Sequence, residues 1–115
     1  MKDITRRTFN FALRSIKLCQ FLNEKYSAEK SILAKQLLRS ATSIGANVEE
    51  AQAGQSRPDF ISKMAIVLKE ARETNYWLRL LEASEILPKE KPAELLKESE
   101  EIKKIIGAII VSSKK

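Results

Sequence analysis

The side chains that most often do chemistry are scarce in this sequence. Its 115 residues include no His and a single Cys. That removes a histidine general base, histidine-ligated metal sites, Cys/His and Ser/His/Asp arrangements, and any disulfide within the chain. Carboxylates are the other route to a metal centre, and Glu49, Glu50, Glu70 and Glu73 suggest one. Bundle sites of that kind combine Glu with Glu-x-x-His, and the histidines are missing. Glu70 and Glu73 flank Lys69 and Arg72, which suits ordinary surface pairing. Cys19 falls within an apolar arc and reads as a small core residue rather than a nucleophile. A Lys or a carboxylate could act without His, but no pocket-forming loop and no grouped polar residues on an apolar face go with it. The expectation is therefore no catalytic residue, no cofactor, no metal and no enzymatic activity.

What remains is electrostatics. Lys and Arg number 21 against 15 Asp and Glu, a formal charge of +6. The excess is local. Residues 1–26 carry six bases and two acids, and residues 88–115 carry seven and five, while the stretch between is balanced. Arg6, Arg7, Arg14 and Lys17, with Lys25, share one side of a helix. A one-sided basic stripe is the footprint that phosphate backbones prefer, although a merely solvated helix face carries the same charges. Arg6, Arg7, Arg14 and Lys17 are the candidate nucleic-acid contacts. No zinc finger and no aromatic sheet signature accompanies them.

Helices must position these residues. The length is that of one domain, spanning 1–115. Hydrophobic residues at 43% and charged residues at 31% describe a globular chain, and three Gly and three Pro are too few for a many-turned β fold. Apolar residues recur with the helical period over about 3–25, 28–53, 57–85 and 92–111. Ser27 and Ser56 are placed to cap the second and third helices, with Pro58 in a first turn and Asp59 reaching back. Gly54 stands where a helix ends in a left-handed residue. Pro88 and Pro92 interrupt before the last helix. Such short breaks allow only antiparallel neighbours, so the fold expected is all-α, an up-down-up-down four-helix bundle. Bases through the first 17 residues argue against a signal peptide, and no apolar run approaches a membrane span. A cytoplasmic protein with no membrane partner is expected.

The helix faces carry a further message. The second helix has one narrow stripe of Leu33, Leu37, Ala41, Ile44, Val48 and Ala51, with Ala41 and Gly45 small enough for close approach. The first helix spreads apolar residues over roughly 220°, where a bundle helix needs little more than about 100°. The third has a main face and, nearly opposite, a patch of Ile66, Tyr76, Trp77 and Leu80. Two helices thus carry more apolar surface than one core takes. Ile66, Tyr76, Trp77, Leu80, Phe11 and Leu18 are the candidate interface between identical chains.

The stretch Arg39–Ala51 resembles the hallmark segment of the four-helix-bundle proteins encoded in 23S rRNA intervening sequences. The motif residues here are Ser43, Ile44, Asn47, Val48 and Glu50. Ser56 to Phe60 and Ala65 to Leu81, with Lys69-Glu70-Ala71 and Tyr76-Trp77-Leu78, are similar too. Many members read Asn-Ile-Ala-Glu-Gly, where this chain has Glu49 for the Ala and Ala51 for the Gly. The resemblance implies bundles assembled into a five-fold ring, and no assigned catalysis. It also extends to the accessory protein of diversity-generating retroelements, a basic ring that binds a reverse transcriptase and nucleic acid. The combined expectation is a homo-oligomer, pentameric by resemblance, that serves as a binding or scaffold module. Its expected partner is RNA or a nucleic-acid enzyme. A protein-protein adaptor with no nucleic-acid role is the alternative.

Overall fold

The computed structural model describes residues 2–115; Met1 lies outside the described residues. Four helices follow one another: α1 (Lys2–Leu22), α2 (Ala28–Gln52), α3 (Arg57–Ser84) and α4 (Glu90–Ser113). They form a rod of 47 × 19 × 19 Å. Each helix packs against the next, and α4 closes back, more thinly, onto α1. Antiparallel register is visible in the bonds between neighbours: Thr5 meets Gln52 at one end of the α1–α2 pair, and Cys19 meets the carbonyl of Ala34 towards the other. α1 and α3 stand across one diagonal of the bundle, and α2 and α4 across the other.

Local chemistry sets the ends. Ser27 and Ser56 both accept a backbone N–H from the first turn they cap, at 3.1 and 3.2 Å. The Asp59 carboxylate reaches back as expected, but to the N–H of Gln55 (3.3 Å) rather than to that of the cap residue. Three expectations at the ends need correction. α1 stops at Leu22, because Asn23 to Tyr26 have nothing to bury and Tyr26 stands out in solvent. α4 starts two residues early, at Glu90, and continues to Ser113; Pro92 fits its first turn because no intrahelical acceptor waits there for its N–H. Gly54 is not left-handed. Among the described residues the one with positive φ is Glu85, at φ 59, where α3 ends. Gly54 matters for space instead, since a Cβ there would lie 2.7 Å from Asp59 Oδ2 and 3.0 Å from the carbonyl of Ala51.

The core is a column of aliphatic side chains with one aromatic ring sealed inside. Leu37, Ala41, Ile44 and Val48 of α2 face Met64, Val67, Ala71 and Leu78 of α3, with Phe11 and Leu22 from α1 and Ile102 and Ile106 from α4. Phe11 is 0% exposed and Leu18 6%. Both are core residues of their own chain, which corrects their assignment to an oligomer interface: the bundle-facing arc of α1 is centred on them. Buried hydroxyls and an amide pin the helices in register. Thr74 Oγ1 is 2.8 Å from Ser40 Oγ, joining α3 to α2, and Asn75 donates to Ser99 Oγ at 2.9 Å, joining α3 to α4. At Gly45 the backbones of α1 and α2 approach so closely that a Cβ would sit 3.3 Å from the carbonyl oxygen of Thr8.

Gly45→Ala should be close to neutral, because improved helix propensity offsets a tight contact. Gly45→Leu should cost about 1–3 kcal/mol, because the helices must separate; urea unfolding of the two variants measures the difference. Within α1, Phe11→Ala should cost about 3–5 kcal/mol, whereas Phe9→Ala should change protomer stability by no more than ~0.5 kcal/mol. Equal losses in thermal and urea melts would show that the core face of α1 is misplaced.

Candidate nucleic-acid interface

The basic residues of α1 come to the surface by helical geometry. Arg6 and Lys17 are eleven residues apart, close to three turns, and stand almost one above the other. Arg14 lies further round, toward α4. All three are exposed. Among the described residues none of the three makes an ion pair. Arg7 differs. Its guanidinium grips Glu98 of α4 with both arms, Nε to Oε2 at 2.9 Å and Nη2 to Oε1 at 2.7 Å. That bond, with weaker help from Glu101 and Asp3, holds the Arg7 guanidinium charged beyond its ordinary range. Arg7 therefore clamps α1 to α4, and its charge is already balanced within the chain.

Because the α1–α4 contact is thin, an open seam runs beside this clamp. A hollow of about 500 Å³ lies between Arg7, Asn10, Leu13, Arg14, Lys17 and Glu98. The next, of about 260 Å³, is bordered by Arg14 and Lys17 again, with Phe21, Lys91 and Glu94. Lys91 comes from the first turn of α4, and its ammonium sits 4.4 Å from the centroid of the Phe21 ring. The charge count over residues 88–115 includes Lys91 but does not place it beside α1. Only the antiparallel return of α4 brings the two together.

The apolar faces are distributed differently from the expectation. On α1 the outward stripe is Phe9, Leu13 and Ile16, at spacings of four and three, with Phe9 56% exposed. These residues belong to the wide apolar arc, and their spacing was the available signal. On α3, Ile66 (42%) and Tyr76 (46%) are exposed as expected. Trp77 and Leu80 are half-buried. The Trp77 indole N–H donates to Glu73 at 3.0 Å, and Glu73 also meets Arg39 of α2, so Trp77 is tied to its own chain. Tyr76 stands edge-on to Trp77 at 5.1 Å, with the Arg79 guanidinium 5.7 Å from its ring.

The motif residues divide between core and helix. Ile44 and Val48 are fully buried, Ser43 and Asn47 are half-buried, and Glu50 is exposed. Asn47 donates to the carbonyl of Ser43 one turn back, at 2.9 Å, and so reaches no other helix. Cys19 is enclosed between α1 and α2, and burial pushes its thiol up to about 11. A thiol that weakly acidic stays protonated near neutral pH and makes a poor nucleophile. Among the described residues no cluster of three or more Cys, Asp or Glu could hold a metal ion, and no helix is long and apolar enough to cross a membrane.

The family model described as 23S rRNA-intervening sequence protein matches residues 2–108. A crystal structure of a protein of unknown function from the S23 ribosomal protein family of Bacteroides thetaiotaomicron is 45% identical. The match covers 93% of this chain and 97% of that one, with a TM-score of 0.84. No curated protein matches. With nearly the whole bundle inside the match, the chain belongs to the 23S rRNA-intervening sequence protein family.

Proposed function

We propose that this chain is a non-enzymatic scaffold. Copies of it associate through the outer faces of α1 and α3, and the assembly binds RNA, or an RNA-handling protein, through the basic side of α1. The observation that carries the reading is the placement of apolar residues. Phe9, Leu13 and Ile16 on α1, and Ile66 and Tyr76 on α3, lie on helices that stand diagonally across the bundle. A protomer with two different sticky sides favours a head-to-tail contact, and head-to-tail contacts that close generate rings. The family resemblance supplies the number five. Around such a ring the exposed Arg6, Arg14 and Lys17 would recur once per copy, and repeated weak phosphate contacts add through multivalency. The Bacteroides thetaiotaomicron protein belongs to a family named for a ribosomal protein, which supports RNA over other polyanions, whereas the name of this chain's own family records where such proteins are encoded.

Light scattering at micromolar concentration should give a multiple of 13.1 kDa. Leu13→Glu and Ile66→Glu should each lower that mass without unfolding the bundle. If α1 of one copy meets α3 of the next, mixing the two variants should restore dimers, because each retains one intact side. A wild-type particle of one subunit removes the assembly.

For the basic surface, the triple change Arg6→Glu, Arg14→Glu and Lys17→Glu should abolish retention of RNA at moderate salt. Taking away one phosphate-binding base at a time should flatten the slope of log affinity against log salt by about 0.7–0.9 for each. Arg7→Ala, by contrast, should act mainly on stability. If wild-type protein retains no RNA in a salt-sensitive way, and nuclease treatment leaves its captured partners in place, the adaptor reading replaces this one.

A further inference from the structure

We propose that the α1–α4 seam is a track for a single-stranded nucleic acid. Phe21 is the platform on which one base stacks, and Arg14, Lys17, Lys25, Lys30 and Lys91 take the neighbouring phosphates. The inference rests on the RNA reading above and narrows it to one strand form and one place.

The seam is continuous. Beyond the two hollows already described lies a third, of about 270 Å³, at the end of the bundle, lined by Lys25 and Lys30 together with Ile86 and Leu87. Arg14 and Lys17 border the first and second hollows, and Phe21 borders the second and third. From Arg7 to Phe21 this path follows about 21 Å of α1, at 1.5 Å per residue. The second and third hollows are each below the ~300 Å³ at which pockets begin to enclose drug-sized ligands. They suit successive units of a chain lying along the seam better than one engulfed molecule.

The charge along the path selects an anion. Five cations come from three different helices and the α1–α2 connection, against Glu24 and Glu94; Glu98 is already balanced by Arg7. Phe21 then selects among anions. It is half-buried against the core, with one face covered by the Lys91 ammonium at 4.4 Å. A flexible lysine can leave that face for a phosphate, and a base can take its place, since stacking on an aromatic ring is the stronger contact. A duplex keeps its bases stacked inside and offers its backbone and groove edges, so it cannot place a base on a ring set at the foot of a seam.

The test uses the full chain and a short unstructured RNA oligonucleotide, free and as a duplex with its complement, read by fluorescence anisotropy. The single strand should bind tighter than the duplex, with a salt slope between about −2 and −3.5 for three to five phosphates. Phe21→Leu should weaken the single strand about tenfold or more, while Phe21→Tyr retains affinity and Glu94→Gln raises it. On the wild-type chain, ultraviolet crosslinking of iodouridine-substituted RNA should attach to Phe21, a readout that does not depend on any variant folding. Equal binding by Phe21→Leu, preference for the duplex, or crosslinks confined to other residues overturns the track and leaves the broader RNA reading standing. Absence of any salt-sensitive RNA binding overturns both.

Discussion

A helix in a four-helix bundle can turn only one stripe inward. That limit organises this molecule. α2 comes nearer to it: Leu37, Ala41, Ile44 and Val48 are sealed, charged or small residues cover much of the rest, and Ile32 and Leu38 are left outside. α1 exceeds it. After Ile4, Phe11, Leu18 and Leu22 have filled the core-facing arc, Phe9, Leu13 and Ile16 are left on the outside. α3 exceeds it too, at Ile66 and Tyr76. Single exposed apolar residues are ordinary on a folded surface; a run at helical spacing on a charged helix is not. The larger share of the excess lies on the two helices of one diagonal, with Ile32 and Leu38 of α2 and Val111 of α4 exposed beside it, so α1 and α3 give the protomer two unlike sides rather than one large patch.

Polar groups inside the bundle keep that arrangement in a single register. Aliphatic columns tolerate sliding by a turn, because one Leu or Ile replaces another at little cost. Buried hydrogen bonds do not. Moving α3 against α2 would part Thr74 from Ser40, and moving it against α4 would part Asn75 from Ser99. The three hydroxyls keep a carbonyl partner in their own helices, so parting them loses a bond of about 0.5–1.5 kcal/mol; the Asn75 amide, which also donates to Glu100 of α4, would lose both acceptors and be left unsatisfied, at about 1–3 kcal/mol. The Arg7–Glu98 pair does the same at the surface where α1 and α4 are least tightly packed. It fixes which residues of α4 face the basic side of α1, and so brings Lys91 to Phe21.

The elements themselves were legible from the sequence, since period and capping are local. Ser27, Ser56 and the two prolines near the last break mark helix ends through bonds made within a few residues. Residues that touch across the bundle were not legible. Phe11 and Phe9 lie in the same wide arc of α1, and nothing in the spacing says which part of the arc faces the core; Gly45, at close quarters with Thr8, decides it. Arg7 and Glu98 are separated by 91 positions, so their pairing is invisible in a charge count, and Arg7 reads as one more base in a stripe. Glu85 ends α3 in the left-handed region although the chain offers a glycine elsewhere. Glycine at 54 eases a crowded turn instead, where a Cβ would press on the Asp59 carboxylate and the carbonyl of Ala51.

The hallmark segment of the family can now be assigned a physical role. Ile44 and Val48 fill the core, Gly45 admits α1, and Asn47 satisfies its own helix. None of these lines the α1–α4 seam or the outward stripe of α1. A motif of this kind specifies the bundle and is silent about what the bundle holds. Binding differences between family members would then arise on the faces the motif leaves alone, above all the side of α1 that carries Arg14 and Lys17 and the first turn of α4 that carries Lys91. A substitution there disturbs no buried group, so partner preference can change at those positions while the fold stays fixed.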